Sequence, residues 1–319
     1  MSSSVKPIAF VNRKGLKLFG IIHTPPQPRI DVGIIILSPG IKSRVAPHRL
    51  YIKMAKRFCE MGFCVLRFDP HGIGDSEGEI EERMVADFYA SVQVGRFVND
   101  TIDAMDWMER EYGISRFILT GLCGGAITGL LAGAMDQRVH SLMGLGIPVI
   151  LDSPSTDQTK YMTRGQLEGL RDRYLRKLLD IKSWVRFLSM KSDYRLIFRS
   201  MMTAAKAKAG GSETNHSDSA NSTNPRLQTG NNFNPYFPVA LHSMLSSRKV
   251  LLIFSGADRL HWEFEEKYIQ NYAQEFQKLS KNIEIHVVQN ANHILSFPAW
   301  QDEMLAKFTS ALKSIDACG

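Results

Sequence analysis

Residues 117–126 read FILTGLCGGA. Strand formers run up to Thr120, glycines bracket Cys123, and a helix-like segment, Ala126–Met135, follows at once. The frame is that of the sharp strand-to-helix turn G-x-S-x-G, with a cysteine where serine is usual. Such a turn holds its central side chain clear of the sheet, and only small neighbours such as Gly121 and Gly125 permit it. N–H groups at the start of the following helix, with its positive dipole end, favour a thiolate at Cys123 and a negative oxygen on whatever it attacks. The chemistry on offer is nucleophilic attack on an acyl carbon, which needs a base nearby. Histidines in loops are His71, His261 and His293, and acids placed just after strand-like runs are Asp152 and Asp258.

The elements that must position these groups alternate in type. Ile8–Val11 and Leu16–His23 read as an opening hairpin, and Gly33–Leu37 as a buried strand stopped by Ser38-Pro39-Gly40. Leu50–Met61 fits a helix, and Phe63–Phe68 is a strand running into the turn-rich DPHGIGDSEG, Asp69–Gly78. Val98, Ile102, Met105 and Met108 share one face of a long helix that ends before Gly113. Phe117–Thr120, Leu142–Ile150, Val250–Phe254 and Ile283–Val288 read as further strands, and Trp300–Ile315 as a closing helix. Strands alternating with helices predict an α/β fold: a mostly parallel sheet flanked by helices.

The alternation fails between Asp152 and His242. Leu167, Leu170, Tyr174, Leu178, Ile181, Val185 and Leu188 recur at three- and four-residue spacing, which predicts amphipathic helix. The stretch 209–232 is rich in Gly, Ser, Asn and Thr and reads as a flexible loop. The expected organisation is therefore a core of 1–151 and 247–319, with a helical cap of 152–246 inserted into it. No internal repeat is visible.

Composition narrows the class. The chain has 319 residues, 44% of them hydrophobic and 22% charged, enough to bury a large core. Its four cysteines, Cys59, Cys64, Cys123 and Cys318, are too sparse for a disulfide framework, and no pair has metal-ligand spacing. Neither a metal nor a cofactor is expected. The N-terminus lacks a secretory pattern and no apolar run could span a bilayer, so a cytoplasmic, reducing setting is expected, one that keeps a thiol available. Residues 151–246 hold 14 Lys/Arg against 8 Asp/Glu, so six of the seven net positive charges fall there. That excess fits an acidic partner or a solvated basic helix face. No nucleic-acid-binding signature is present.

Together these pieces resemble a capped α/β-hydrolase of the serine-aminopeptidase/thioesterase-like kind, over the whole chain outside the insertion. The resemblance puts Cys123 at the elbow nucleophile. It implies that Asp258, in LIFSGADRL, is the acid and that His293, in NANHILS, is the base, in the family's order of nucleophile, acid, histidine. SPGIKS (Ser38–Ser43) resembles the family's His-Gly loop, with Pro39 in the histidine's place. The backbone N–H groups of Gly124 and Ile41 would then form the oxyanion hole. DPHGIGDSEG resembles a D-x-R-G-x-G-x-S loop with His71 where arginine is frequent. His293 would take the thiol proton, while Asp258 would fix its tautomer. Elbow cysteines similar to this one are familiar in dienelactone hydrolases and polyhydroxyalkanoate synthases. The former lack a large cap, and the latter lack a DPHGIGDSEG-like loop.

An acyl-cysteine is a thioester, close in energy to an acyl-CoA or acyl-carrier thioester, so a thiol suits acyl transfer or thioester cleavage. The expected substrate is an acyl-CoA or an acyl-carrier protein. Arg171, Arg173 and Arg176 are candidates to meet its phosphates or acidic surface, and Met201 is a candidate for an apolar acyl pocket. Two other functions stay open: hydrolysis of a small carboxylic ester or lactone, and non-catalytic binding of a ligand or partner. Oligomeric state cannot be read from these residues.

Overall fold

The computed structural model describes residues 3–28, 31–152 and 232–316. These belong to one compact unit, Met1–Thr156 with Asn232–Gly319. Arg171, Arg173, Arg176, Met201 and Cys318 lie outside the described residues, as does the expected flexible loop up to 231.

The strands are β1 (Ser4–Val11), β2 (Lys17–Thr24), β3 (Val32–Leu37), β4 (Cys64–Phe68), β5 (Arg116–Leu122), β6 (Val139–Leu145), β7 (Lys249–Ser255) and β8 (Ile283–Val288). They form one eight-stranded sheet in the order β1-β2-β4-β3-β5-β6-β7-β8. The opening hairpin pairs antiparallel, as does β2 with β4, and every other pair from β4 to β8 is parallel. The α/β-hydrolase arrangement expected from the sequence is what the sheet shows.

Both faces of the sheet's centre are buried, and strands such as β3 and β4 show it residue by residue. On β3, Ile35 and Leu37 join one apolar cluster, while Ile34 and Ile36 join the opposite one. Successive side chains on a strand point to opposite faces, so a strand covered on both sides must be apolar throughout. Helices α1 (Leu50–Glu60) and α7 (Pro298–Asp316) supply Leu50, Phe58, Met304 and Phe308 to one cluster. Helices α3 (Val98–Tyr112) and α4 (Gly124–Met135) supply Met105, Met108, Ile127 and Leu130 to the other. Between β4 and α3 lies α2 (Val85–Gln93), which the sequence reading did not anticipate.

Two boundaries differ from expectation. The apolar run Leu142–Ile150 reads as one strand, but β6 stops at Leu145, because Gly146 turns the chain at φ 51° and sends its N–H to Ile253 O at 2.8 Å. Ile147, Val149 and Ile150 remain buried without being strand, which hydrophobicity alone does not reveal. Helix α5 (Tyr236–Leu245) falls within the range assigned to the insertion, yet Phe237, Leu241, Met244 and Leu245 are wholly buried in the sheet's core. The chain has already rejoined the core at Phe233, which bridges to Ile150, with Asn232 accepting from Leu151 N–H at 2.8 Å.

Candidate active site

The turn at Cys123 has the strained geometry that its neighbours suggest. Cys123 sits at φ 54°, ψ −110°, between the end of β5 and the first residue of α4. A non-glycine residue there costs about 1–3 kcal/mol and persists only where the surroundings fix it. They do so on both sides: its N–H bonds Leu145 O at 2.8 Å, and its carbonyl accepts from Ala126 N at 3.0 Å and Ile127 N at 3.2 Å. The flanking glycines are forced by close approach. A Cβ on Gly125 would lie 2.3 Å from Leu37 O, and one on Gly121 would lie 2.8 Å from the same oxygen. Gly124 opens α4, so its N–H is among the first-turn donors that have no acceptor within the helix. Ile41 lies exposed on the loop after β3.

Two loops on the far side of β6 bring a carboxylate and an imidazole to this turn. Asp258 follows β7, caps the short helix α6 (Arg259–Glu263) by accepting from Leu260 N, and is 8% exposed. His293 follows β8 in a loop held by Ala257 N–H on Ala291 O at 3.0 Å, Ala291 itself being buried. Asp258 Oδ2 and His293 Nδ1 are 2.6 Å apart. Burial would push the His293 imidazolium down, but the Asp258 hydrogen bond and a side-chain interaction with Cys123 outweigh it and raise its pKa to about 10. Gly146 faces the pair, since a Cβ there would lie 3.7 Å from Asp258 Oδ2 and 3.9 Å from His293 Cε1.

The competing acids and bases are engaged elsewhere. Both Asp152 oxygens accept from Arg259 at 3.1 Å, and Asp152 N–H bonds Gln93 Oε1 at 3.0 Å. His71 Nδ1 is 2.6 Å from Asp100 Oδ2, a buried pair completed by Asn12 Nδ2 on Asp100 Oδ1 at 2.7 Å. Those contacts hold Asp100 below the usual carboxylate range against the opposing effect of burial. His261 packs on the Phe254 ring, the two ring centroids 5.7 Å apart. Among the described residues, no group of His, Cys, Asp and Glu could hold a metal ion.

Two residues bear on the site that sequence reading did not single out. Tyr51, on α1 and fully buried, donates to Leu37 O at 2.7 Å and accepts from Leu122 N–H at 2.7 Å, so its hydroxyl ties the end of β3 to the residue before Cys123. Tyr89, on α2, packs its ring on Gly40, and burial together with the charges of Cys123 and Asp152 raises its pKa. Neither position carries a motif. An unanticipated helix and a hydroxyl reaching across two strands leave no local pattern.

A family model described as the alpha/beta hydrolase fold matches residues 34–299. The chain belongs to that family. A polyketide transferase (grgF) from Penicillium sp. is 28% identical over 168 residues, 50% of this chain and 51% of that protein. The chain thus matches about half the length of this curated relative. Among solved structures, the Pyrococcus furiosus esterase Pf2001 aligns with a TM-score of 0.58 at 16% identity, covering 98% of this chain and 92% of that one. DcsB, solved in complex with its substrate analogue, aligns with a TM-score of 0.53 at 15% identity, covering 98% and 99%. At such identities these α/β-hydrolase-like structures speak for the fold alone.

Proposed function

We propose that this α/β-hydrolase-fold protein is an acyl-thioester-processing enzyme, a thioesterase or acyltransferase, that works through an acyl group carried on Cys123. The observation that carries the reading is the pairing of a raised His293 pKa with a cysteine on a strained turn. His293, held by Asp258 through the 2.6 Å Nδ1–Oδ2 contact, would take the thiol proton, and the thiolate is the attacking species.

Cys123 Sγ would bond to the acyl carbon while the carbonyl electron pair moves to oxygen. The N–H groups of Gly124 and Ile41 would receive that oxyanion, each donor contributing about 3 kcal/mol to the transition state. Collapse breaks the carbon–sulfur bond to the leaving thiol, which takes its proton from His293. Water or a second acceptor then gives a proton to His293, bonds to the acyl carbon and releases Cys123. Asp258 stays ionised and fixes the imidazole throughout. The likeness to a polyketide transferase supports passing the acyl group on rather than only hydrolysing it. We assign Arg171, Arg173 and Arg176 to the phosphates of coenzyme A or the acidic face of a carrier protein, and Met201 to the acyl pocket. A reducing cytoplasm would keep the thiol free.

Incubation with acyl-CoA, acyl-carrier protein and p-nitrophenyl esters, followed by intact-protein mass spectrometry, tests the reading. A single acyl adduct from a thioester, absent in Cys123→Ala, is the expected result. Loading by p-nitrophenyl esters with none from any thioester overturns it.

A further inference from the structure

Asp69 lies where β4 ends, and its side chain is fully buried at 0% exposure. Everything it holds belongs to two loops. Its Oδ1 accepts the Arg44 backbone N–H at 2.5 Å, its Oδ2 pairs with the Arg44 guanidinium, and Oδ2 also lies 3.3 Å from Asp75 N. The guanidinium reaches on to Asp75 Oδ2 at 2.5 Å. From beneath, Arg67 Nη1 lies 3.4 Å from Arg44 O, while Arg67 Nε bonds His23 Nε2 at 3.1 Å. Arg44 is therefore gripped through its N–H, its carbonyl and its side chain. The fit leaves no slack, because a Cβ on Gly74 would collide with the Asp69 carboxylate.

Arg44 is three residues beyond Ile41 on the loop that leaves β3. The upstream part of this loop is fastened internally, with Ser38 Oγ 2.5 Å from Lys42 O and 3.1 Å from Gly40 O. Internal bonds shape a loop but do not place it against the rest of the molecule. Asp69 does, since β4 and β3 are adjacent parallel strands and the carboxylate spans from the end of one to the loop of the other. A buried ion pair is a poor source of net stability, because desolvation consumes most of its attraction. What it supplies is fixed geometry, and an oxyanion donor must be fixed to be worth its full effect.

We propose that Asp69 and Arg44 are positioning residues that clamp the Ile41 loop so that its N–H meets the developing oxyanion. This inference rests on the acyl-cysteine reading above. The charged groups facing Asp69 are Arg44, Arg67 and Asp75, with His23 behind Arg67. Burial raises the Asp69 carboxyl above its usual range despite Arg44, so acid weakens the clamp earlier than it would an exposed aspartate.

The test compares three readouts in Asp69→Asn: kcat for acylation from a thioester, inhibition by a trifluoromethyl ketone that forms an oxyanion adduct, and alkylation of Cys123 by iodoacetamide, which makes no oxyanion. The clamp predicts kcat down by about 10- to 10³-fold, up to the cost of losing one oxyanion donor. It also predicts weakening of the ketone by a similar factor, KM within about threefold, and alkylation within about threefold. Glu60→Gln, which neutralises an exposed carboxylate outside this network, should leave kcat unchanged. Should Asp69→Asn not fold, Arg44→Gln keeps the backbone bond and removes the guanidinium, with the same split expected at smaller size. Unchanged kcat in the folded variant, or equal losses of acylation and alkylation, overturns the clamp. A wild-type protein that takes no acyl group from any probe overturns the acyl-cysteine reading, and the clamp with it.

Discussion

At His293 the pKa shift is a statement about stability. Its value rises from 6.5 to about 10 in the folded protein, through Asp258 and Cys123 acting against burial. The folded state therefore binds this proton more tightly than the unfolded chain does. The stabilisation is fully present below the unfolded value near 6.5 and is lost as pH rises through about 10. The imidazole is partly exposed, so solvent screens the effect. Urea unfolding of wild type and His293→Gln, compared from pH 6 to 10.5, should show a stability difference that is largest at the acid end and fades toward pH 10. Differencing the two removes the other titrating groups. A gap that stays constant across this range, or that closes near pH 6.5, contradicts the raised value. Asp258→Asn should bring the His293 titration, followed by NMR at Cε1, back toward 6.5.

At the scale of elements, the site depends on where three strand ends stop. β3, β5 and β6 meet at Leu37, Leu122 and Leu145, and Cys123 hangs from that junction through its own bond to Leu145 O. Tyr51 supplies from α1 what the sheet cannot, a single hydroxyl that satisfies both Leu37 O and Leu122 N–H. Tyr51→Phe removes that hydroxyl and leaves two buried backbone groups without it. Each such group costs about 1–3 kcal/mol, so the loss for the two should be on the order of 2–6 kcal/mol, read from the urea midpoint at unchanged m-value. Because the freed groups border the elbow, acylation of Cys123 should slow as well. A variant as stable as wild type would show that the hydroxyl is dispensable at this junction.

At the scale of the molecule, what could be read from the sequence follows from the range of the interactions. The parallel sheet was legible because strands such as Gly33–Leu37 are apolar on both faces, which few other elements are. The FILTGLCGGA turn was legible because a strained residue needs small neighbours beside it in the chain. The choice of Asp258 over Asp152 was not legible from residues alone. Both follow strand-like runs in the sequence, and only the folded chain shows that Arg259 holds Asp152 while Asp258 pairs with His293. Tyr51 and Arg44 carried no motif, and Asp69 entered only as the first residue of DPHGIGDSEG, because the group each one touches is near in space and distant in sequence. The segment of α5 falls in the expected insertion range because the strand–helix alternation resumes only near Lys249, whereas in the fold its Phe237 and Leu241 are buried in the core.

The same separation of scales makes the basic excess of 151–246 testable without touching the residues proposed as catalytic. If Arg171, Arg173 and Arg176 meet phosphates, their effect must depend on the phosphates being there. Acyl-CoA carries a phosphorylated nucleotide, and the corresponding acyl-pantetheine presents the same thioester without one. The triple variant Arg171→Ala, Arg173→Ala and Arg176→Ala should raise KM for acyl-CoA by at least about tenfold, roughly 1.4 kcal/mol of lost binding. KM for acyl-pantetheine, and kcat for both, should stay within about twofold. Rising salt should erode the wild type's preference for acyl-CoA, since exposed charges are screened beyond about 10 Å at 0.1 M. Equal changes for the two substrates would assign these arginines to a solvated helix face and return the question of the thioester's carrier to the rest of the chain.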